Sequence, residues 1–265
     1  MLQPLQNIKA LAIDLDGTTY LGKEAFPFTF NFLEGLQAYG IKYLFLTNNS
    51  SKSSEEHRQK LERMGISVTR DQIYTSQDAT IEYLRSVTTG SSLYLLATPG
   101  VVREFEEAGY ETDSSTPEFV VLAFDLSLTY EKLDRACYFV RKGVPFIATH
   151  EDVTWIESED HRYPDCGALA AAITTATGRK PKFLGKPNPE MVQGFLKRLN
   201  LHPGEVAIIG DKLETDIRMG QMNGITTFLV LTGETKPEDL SVSSIQPDFV
   251  LQRNVDVLNY LLPQK

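Results

Sequence analysis

Cysteine and histidine are scarce in this chain. Among its 265 residues are two cysteines, Cys137 and Cys166, which form no CxxC pair, and four histidines that lack the spacing of metal ligands. Neither a disulfide framework nor a zinc site built from these residue types is expected. The cysteine usage predicts a reducing compartment, and we expect a cytoplasmic protein. We expect His57 and His202 to be surface residues.

The sequence also lacks long apolar runs and clusters of basic residues. No stretch approaches the length of a membrane span, and an acidic residue lies where a signal peptide would be apolar. Lys and Arg number 26 against 35 Asp and Glu, a formal charge of −9. Binding to nucleic acid or to an anionic membrane needs clustered positive charge and is not expected. An anionic substrate would need a binding site whose local positive charge overcomes the repulsion from the net negative charge of the protein. A bound divalent cation would help to supply that positive charge.

What the sequence does contain is a regular alternation of buried strands and helices. Apolar stretches predict strands at residues 8–13, 41–46, 72–75, 92–97, 119–124, 144–148, 206–209 and 225–231. Helices are predicted at about residues 30–40, 101–108, 130–142, 167–177 and 211–223. A further helix is predicted to start at the capping box of Ser53 and Glu56 and to end at Gly65. This alternation is typical of an α/β fold with a parallel sheet. Residues 80–180 resemble a small α/β unit of their own.

Polar residues follow the carboxyl ends of three predicted strands, at Asp14, at Thr47 with Asn48, and at Asp211. Ligands bind outside these strand ends in an open α/β sheet, so we expect the three groups to converge if their strands are neighbours. Thr47 and Asn48 offer neutral donors that suit a phosphate.

Asp14 and Asp16 are the first candidates for chemistry. Their side chains lean to the same side of an extended segment, and Gly17 lets the chain turn away at once. Two carboxylates so close repel each other unless a cation lies between them or one is protonated, which allows one to be a nucleophile and the other a proton donor. An ordinary polar turn after a strand has the same appearance.

Three further residues are candidates for the same site. Lys186 lies in a stiff loop between Gly185 and Pro187, which suits a fixed charge directed at a phosphate, although a solvated surface lysine is the simpler reading. Asp211, directly after a buried strand, is a suitable ligand for Mg²⁺. Asp216 either supplies negative charge to the start of a helix or lies just outside the ligands of the metal.

Taken in order, these motifs resemble those of the haloacid dehalogenase (HAD) superfamily. The segments that carry the resemblance are Asp14-Leu15-Asp16-Gly17-Thr18, Thr47-Asn48-Asn49, Gly185-Lys186-Pro187 and Gly210-Asp211-Lys212-Leu213-Glu214-Thr215-Asp216. Residues 176–181 and 185–191 are similar to the NagD or p-nitrophenylphosphatase-like branch. The resemblance covers nearly the whole chain.

The resemblance implies a Rossmann-like core with a parallel sheet, formed by residues 1–79 and 181–265, and an inserted smaller α/β cap domain at 80–180. It also implies a Mg²⁺-dependent phosphatase with an aspartyl-phosphate intermediate. Asp14 would be the nucleophile and Asp16 the acid and then the base, while Thr47, Asn48 and Lys186 would bind phosphate. Asp14, Asp211 and the backbone carbonyl of Asp16 would hold the metal, with Asp216 close by.

The cap departs from the family pattern at Thr149-His150-Glu151-Asp152, where relatives often have a Thr-Asn-Pro-Asp-like segment facing the substrate. His150 and Asp152 are therefore our candidates for contacts with the leaving group, although a solvated loop is an equally simple reading. The implied partner is a small phosphorylated metabolite, and a homodimer through the cap is implied as well.

Several functions remain open at this point. The leading one is hydrolysis of small phosphate monoesters, such as sugar phosphates or nucleoside monophosphates, with p-nitrophenyl phosphate as a substrate in vitro. A phosphomutase would use the same intermediate but must exclude water from it. A dehalogenase would need neither Mg²⁺ nor Asp16. The alternative that is not an enzyme is a non-catalytic module that binds a phosphorylated ligand.

Overall fold

The computed structural model describes residue 5, residues 7–158 and residues 161–262. In chain order the strands are β1 (Ala10–Asp14), β2 (Tyr20–Leu21), β3 (Glu24–Ala25), β4 (Lys42–Thr47), β5 (Ile73–Thr75), β6 (Leu93–Leu96), β7 (Phe119–Leu122), β8 (Phe146–Ala148), β9 (Thr154–Ser158), β10 (His161–Pro164), β11 (Lys182–Phe183), β12 (Val206–Gly210), β13 (Thr226–Val230) and β14 (Phe249–Leu251).

The α-helices are α1 (Pro27–Ala38), α2 (Ser54–Arg63), α3 (Ser76–Val87), α4 (Pro99–Glu107), α5 (Tyr130–Arg141), α6 (Cys166–Thr177), α7 (Pro189–Leu199), α8 (Arg218–Asn223), α9 (Asp239–Val242) and α10 (Leu258–Leu261). Short 3₁₀ turns lie at Arg70–Gln72, Pro203–Glu205 and Asn254–Val257, and a π-helical turn lies at Leu213–Ile217. Within the described ranges, no helix combines the length and the apolar character needed to cross a membrane.

The chain divides into two compact units. The first consists of Met1–Thr47, Lys60–Tyr74 and Phe195–Lys265, and the second of Asn48–Gln59 and Thr75–Gly194. The boundaries near residues 80 and 180 that the resemblance implies stay a prediction.

The first unit is built on a sheet with the strand order β14-β13-β12-β1-β4-β5. The pairings of β1 with β4 and with β12 are parallel, and so are those of β13 with β12 and with β14. In the centre of the sheet Ala12 lies opposite Leu44 on one side and Ile208 on the other. Every residue of β1 is buried, which explains why its sequence is apolar on both faces. The predicted α/β class with a parallel sheet is confirmed.

Helices and apolar side chains cover this sheet. The α1 helix starts with a proline in its first turn, and the chain turns away from it at Gly40, which has φ of 68°. The α8 helix ends in the same way at Gly224, with φ of 65°. The core beside the sheet includes Leu11, Ile13, Phe32, Phe45, Ile209 and Phe228. Each such side chain contributes about 1.5–3 kcal/mol when it is fully removed from water.

The second unit has its own parallel sheet, in the order β11-β8-β7-β6. Residues of β7 alternate between its two faces. Val120 and Leu122 pack in a core with residues of α5 and α6, whereas Val121 packs in a second core with residues of α3 and α4. The antiparallel hairpin of β9 and β10 follows β8.

Several of these elements do not follow from the sequence pattern, among them α3, α7 and the β9–β10 hairpin. For α3 the reason is visible in its first turn. Thr75 is both the last residue of β5 and the N-cap of the helix, where its side chain and that of Asp78 form a capping box. No turn residues separate β5 from α3. The change from the two-residue repeat of a strand to the repeat of about 3.6 residues of a helix is therefore hard to recognise in the sequence.

Candidate active site

Three carboxylates meet at the carboxyl edge of the first unit's sheet. Asp14 is the last residue of β1, and Asp211 directly follows the neighbouring strand β12. Asp216 joins them from the π-helical turn, and one oxygen of each side chain lies within 4.8 Å of the other two. All three residues are buried. Carboxylates packed this closely away from water repel each other unless a cation lies among them.

Asp211 is oriented by the loop that follows β13. One carboxylate oxygen accepts a hydrogen bond of 2.6 Å from the backbone amide of Glu234, and the Asp211 carbonyl accepts one of 3.1 Å from Thr235. A Cβ atom at Gly17 or at Gly233 would collide with this carboxylate. Both glycines therefore make room for the Asp211 side chain at its position.

Asp216 is more central than the sequence indicated. The π-helical turn that carries it is a rare form of helix that often occurs at functional sites. Its carboxylate accepts a hydrogen bond of 3.2 Å from the Thr215 hydroxyl and packs so closely on Gly210 that a Cβ there would collide with it. Together with Asp14 and Asp211 it forms a hard oxygen donor set that fits Mg²⁺.

The turn after β1 is fixed by hydrogen bonds from within the same unit. The hydroxyl of Thr19 donates to the Asp14 carbonyl at 2.7 Å, and that of Thr232 donates to the Gly17 carbonyl at 2.6 Å. Gly17 has φ of 80°, a conformation that favours glycine, and its amide donates to the carbonyl of Tyr20 at 2.8 Å.

The side chain of Asp16 lies outside the carboxylate cluster and is partly exposed. One of its oxygens accepts a hydrogen bond of 2.8 Å from the Tyr20 hydroxyl, and the other lies 3.7 Å from the Lys60 Nζ. Burial, followed by the negative charge of Asp16, raises the pKa of Tyr20 well above its ordinary value. The phenol therefore stays a hydrogen-bond donor at neutral pH.

Thr47 ends β4, the strand that pairs with β1 on its other side, and its side chain is buried. In the register of this pair Asp14 lies opposite Leu46, the residue before Thr47. The predicted convergence of Thr47 with Asp14 and Asp211 at one sheet edge is what the strand order produces.

In the second unit, Asn48 holds the loop that carries Lys186. Its side-chain oxygen accepts from the Lys186 amide at 2.8 Å, and its side-chain nitrogen donates to the Lys186 carbonyl at 3.0 Å and to Asp152 at 2.7 Å. Both polar atoms of the Asn48 side chain are thus engaged by protein groups, and its predicted contact with phosphate stays a prediction. Lys186 is buried in a loop whose Gly185 could not carry a Cβ, which would lie 2.5 Å from the Asn48 oxygen.

Two histidine predictions differ from the structure. His150, a predicted substrate contact, is completely buried; its Nε2 lies 2.9 Å from Asp165 and its Nδ1 lies 3.0 Å from the Thr149 hydroxyl. It follows the buried strand β8, so its ring packs inside the unit. His57, predicted on the surface, is also buried, with its Nε2 2.9 Å from the Asn49 carbonyl. Asp152 is only partly buried, as a substrate contact requires.

Sequence reasoning missed Tyr20, Lys60 and the loop of Thr232 and Gly233. The loop could have been found, because it follows the predicted strand at 225–231 and strand ends were the guide elsewhere. Tyr20 and Lys60 left no such signal, since each is an ordinary residue within a turn or a helix.

Comparison with known proteins gives the family. A model of the haloacid dehalogenase-like hydrolases matches residues 11–111, and a HAD-hydrolase-like model matches residues 183–257. The acid sugar phosphatase of Staphylococcus saprophyticus is 36% identical over 258 residues, which cover 97% of this chain and 99% of that protein.

Solved structures agree. The 4-nitrophenylphosphatase of Thermotoga maritima has a TM-score of 0.93 and 39% identity, covering 97% of this chain and 99% of its own. NagD of E. coli has a TM-score of 0.87 and 31% identity, covering 94% and 98%. The predicted enzyme class, a phosphatase, is confirmed. The chain belongs to the haloacid dehalogenase-like hydrolases, among the relatives of NagD and the p-nitrophenylphosphatases.

Proposed function

We propose that this phosphatase uses Mg²⁺ and an aspartyl-phosphate on Asp14 to hydrolyse small phosphate monoesters, sugar phosphates first among them. The observation that carries the proposal is the buried cluster in which Asp14 and Asp211, at the ends of adjacent strands, meet Asp216 of the π-helical turn. The substrate class is supported by the acid sugar phosphatases among the relatives. Nucleoside monophosphates and p-nitrophenyl phosphate belong to the same chemical class.

Asp14, Asp211 and the backbone carbonyl of Asp16 would hold the metal, with Asp216 beside or among these ligands. When bound, Mg²⁺ supplies positive charge that allows a carboxylate nucleophile to approach an anionic ester and stabilises charge on the phosphoryl oxygens. Asp211 is held in place for this task by the amide of Glu234.

In the first half-reaction a carboxylate oxygen of Asp14 attacks phosphorus, and the bond from phosphorus to the ester oxygen breaks. Asp16, as a carboxylic acid, gives its proton to the departing oxygen, which leaves as an alcohol. In the second half-reaction Asp16, now a carboxylate, takes a proton from the water that attacks phosphorus. The bond between Asp14 and phosphorus breaks, and inorganic phosphate is released.

The remaining predicted residues bind and orient the substrate. Thr47 and Lys186 would hold phosphoryl oxygens by a hydroxyl and a fixed positive charge. Asn48, the other residue predicted to bind phosphate, would position Lys186 through its two hydrogen bonds to the Lys186 backbone. Asp152, tied to Asn48 at 2.7 Å, would face the leaving group, where a carboxylate accepts hydrogen bonds from sugar hydroxyls.

Release of inorganic phosphate from a panel of monoesters with Mg²⁺ tests the proposal. We expect steady turnover by the wild type and none by Asp14→Asn, because an amide cannot act as the nucleophile. Near-normal turnover by a folded Asp14→Asn protein would refute the role of Asp14. A phosphomutase would transfer phosphate between substrate hydroxyls instead of releasing it, and a binding module would saturate with ligand without product.

A cytoplasmic location and a homodimer through the inserted domain also belong to this proposal. Fractionation of cells and light scattering of the purified protein test them separately from the chemistry. A monomer at working concentration would remove the dimer and leave the catalytic assignment intact.

A further inference from the structure

The carboxylate of Asp16 is held by two side chains that no motif includes. The Tyr20 hydroxyl donates to one oxygen at 2.8 Å, and the Lys60 Nζ lies 3.7 Å from the other. Lys60 also sits over the Tyr20 ring, with its Nζ 3.8 Å from the centroid. Asp16, Tyr20 and Lys60 thus form a closed triangle of contacts, all within the first unit.

Both partners are anchored independently of Asp16. Tyr20 is fully buried, which restricts its ring, and its backbone carbonyl accepts from the Gly17 amide, which fixes the turn between Asp16 and Tyr20. Lys60 lies in α2, and its side chain is only 14% exposed. A lysine ammonium over an aromatic face is stabilised by the ring by about 0.5–2 kcal/mol. The Lys60 head group is therefore held over the ring, beside Asp16.

We propose that Tyr20 and Lys60 are positioning residues that set the orientation of the Asp16 carboxylate for proton transfer. This inference rests on the proposed role of Asp16 as acid and base. A general acid works only within hydrogen-bond reach of the proton's destination, so orientation controls its efficiency. A partly exposed aspartate without these contacts would occupy several rotamers, so its carboxylate would spend less time in any one orientation.

The role predicts a dependence on the leaving group. The oxygen of a sugar phosphate departs as an alkoxide unless it receives a proton, whereas p-nitrophenolate is a stable anion that leaves without one. Loss of orientation at Asp16 should therefore slow the sugar phosphate far more than p-nitrophenyl phosphate. A general loss of packing or of metal binding would slow both substrates alike.

The test measures kcat and KM for a hexose 6-phosphate and for p-nitrophenyl phosphate, at saturating Mg²⁺, in the full chain. For Tyr20→Phe and Lys60→Met we expect kcat on the sugar phosphate to fall about tenfold or more, a part of the total effect of a general acid. With p-nitrophenyl phosphate we expect kcat to fall less than threefold, and KM for both substrates should be unchanged. If one variant fails to fold, as judged by circular dichroism, the other decides.

Tyr94→Phe is the matched control, because it removes a phenol that donates to the Lys132 carbonyl at 3.2 Å in the second unit. Both activities should stay at the wild-type level in this variant. Equal losses on both substrates in Tyr20→Phe and Lys60→Met, or no loss, would overturn the inference.

Asp16→Asn separates this inference from the proposed function. If Asp16→Asn loses sugar phosphate turnover while Tyr20→Phe and Lys60→Met keep the wild-type ratio of the two activities, the positioning role alone is wrong. If the wild type releases no phosphate, or if Asp16→Asn hydrolyses the sugar phosphate normally, the role of Asp16 fails and the positioning role falls with it.

Discussion

The side-chain amide of Asn48 spans the backbone of Lys186, accepting from its N–H at 2.8 Å and donating to its C=O at 3.0 Å. These hydrogen bonds link residues 138 positions apart in the chain. Because the same amide also donates to Asp152, one side chain connects the loop that carries the lysine with the loop that follows β8.

Asn48→Leu should therefore impair substrate binding although leucine is close to asparagine in size. The change leaves the buried amide and carbonyl of Lys186 without these partners, at a cost of about 1–3 kcal/mol for each unsatisfied group. We expect KM for phosphate monoesters to rise at least about tenfold, measured by phosphate release. Asn223→Leu, which removes an amide that donates to the Met219 carbonyl, is the control. An unchanged KM in Asn48→Leu would contradict the positioning role.

Asp211→Ala should raise the Mg²⁺ concentration needed for half-maximal activity. It removes one of three buried carboxylates whose oxygens lie within 4.8 Å of each other. The increase in melting temperature on adding Mg²⁺ measures binding without turnover and should shrink in the same variant. Identical metal titrations for wild type and variant would remove Asp211 from the proposed metal ligands.

Gly233→Ala should have a similar consequence through packing alone. The new Cβ would collide with the Asp211 carboxylate, and overpacking of this kind costs about 1–3 kcal/mol. We expect lower thermal stability and weaker Mg²⁺ binding. Gly204→Ala is the matched control, because no atom lies within 4 Å of the added Cβ there. Equal behaviour of the two variants would show that Asp211 tolerates displacement.

Cys166 should be unreactive toward thiol reagents in the folded protein. Burial is the main cause that raises the pKa of this thiol from 9.0 to about 12, so almost none is thiolate at pH 8. We expect labelling of Cys166, followed by mass spectrometry, to become rapid only in denaturant. Rapid labelling of the native protein would contradict this expectation.

The same pKa gives a pH dependence of stability. The pKa is higher in the folded state, so the folded protein holds this proton more tightly than the unfolded chain does. The stability linked to it is complete below about pH 9 and is lost as the pH rises toward about 12. A Cys166→Ala variant, titrated in parallel, isolates this contribution.

The sequence predicted the strand ends of the first unit well, because Asp14, Thr47 and Asp211 each come directly after a run of buried apolar residues. Runs of apolar residues are easy to recognise as buried strands. Because ligands bind outside the carboxyl ends of neighbouring parallel strands, the three separate motifs are predicted to lie at one site. The resemblance to a known family added the roles of residues that no spacing could supply, such as the division of labour between Asp14 and Asp16.

The parts that could not be predicted depend on contacts between residues distant in the chain. His150 and His57 lie in polar segments that read as exposed, yet hydrogen bonds to Asp165 and to the Asn49 carbonyl allow both rings to be buried. Lys60 resembles any other lysine of a polar helix until the fold brings it over Tyr20. The spacing of apolar residues in a segment indicates whether it forms a helix or a strand. It does not indicate which distant residues the segment contacts.

The position of β1 between β4 and β12 has a consequence for biosynthesis. Domains fold from the N-terminal side as the ribosome elongates the chain at about 5–20 residues per second. Asp14 is made long before its neighbouring strand β12, which begins only at Val206. A nascent polypeptide released before that point would expose one edge of β1 and lack Asp211 and Asp216, so it would offer quality-control proteases an unpaired apolar strand.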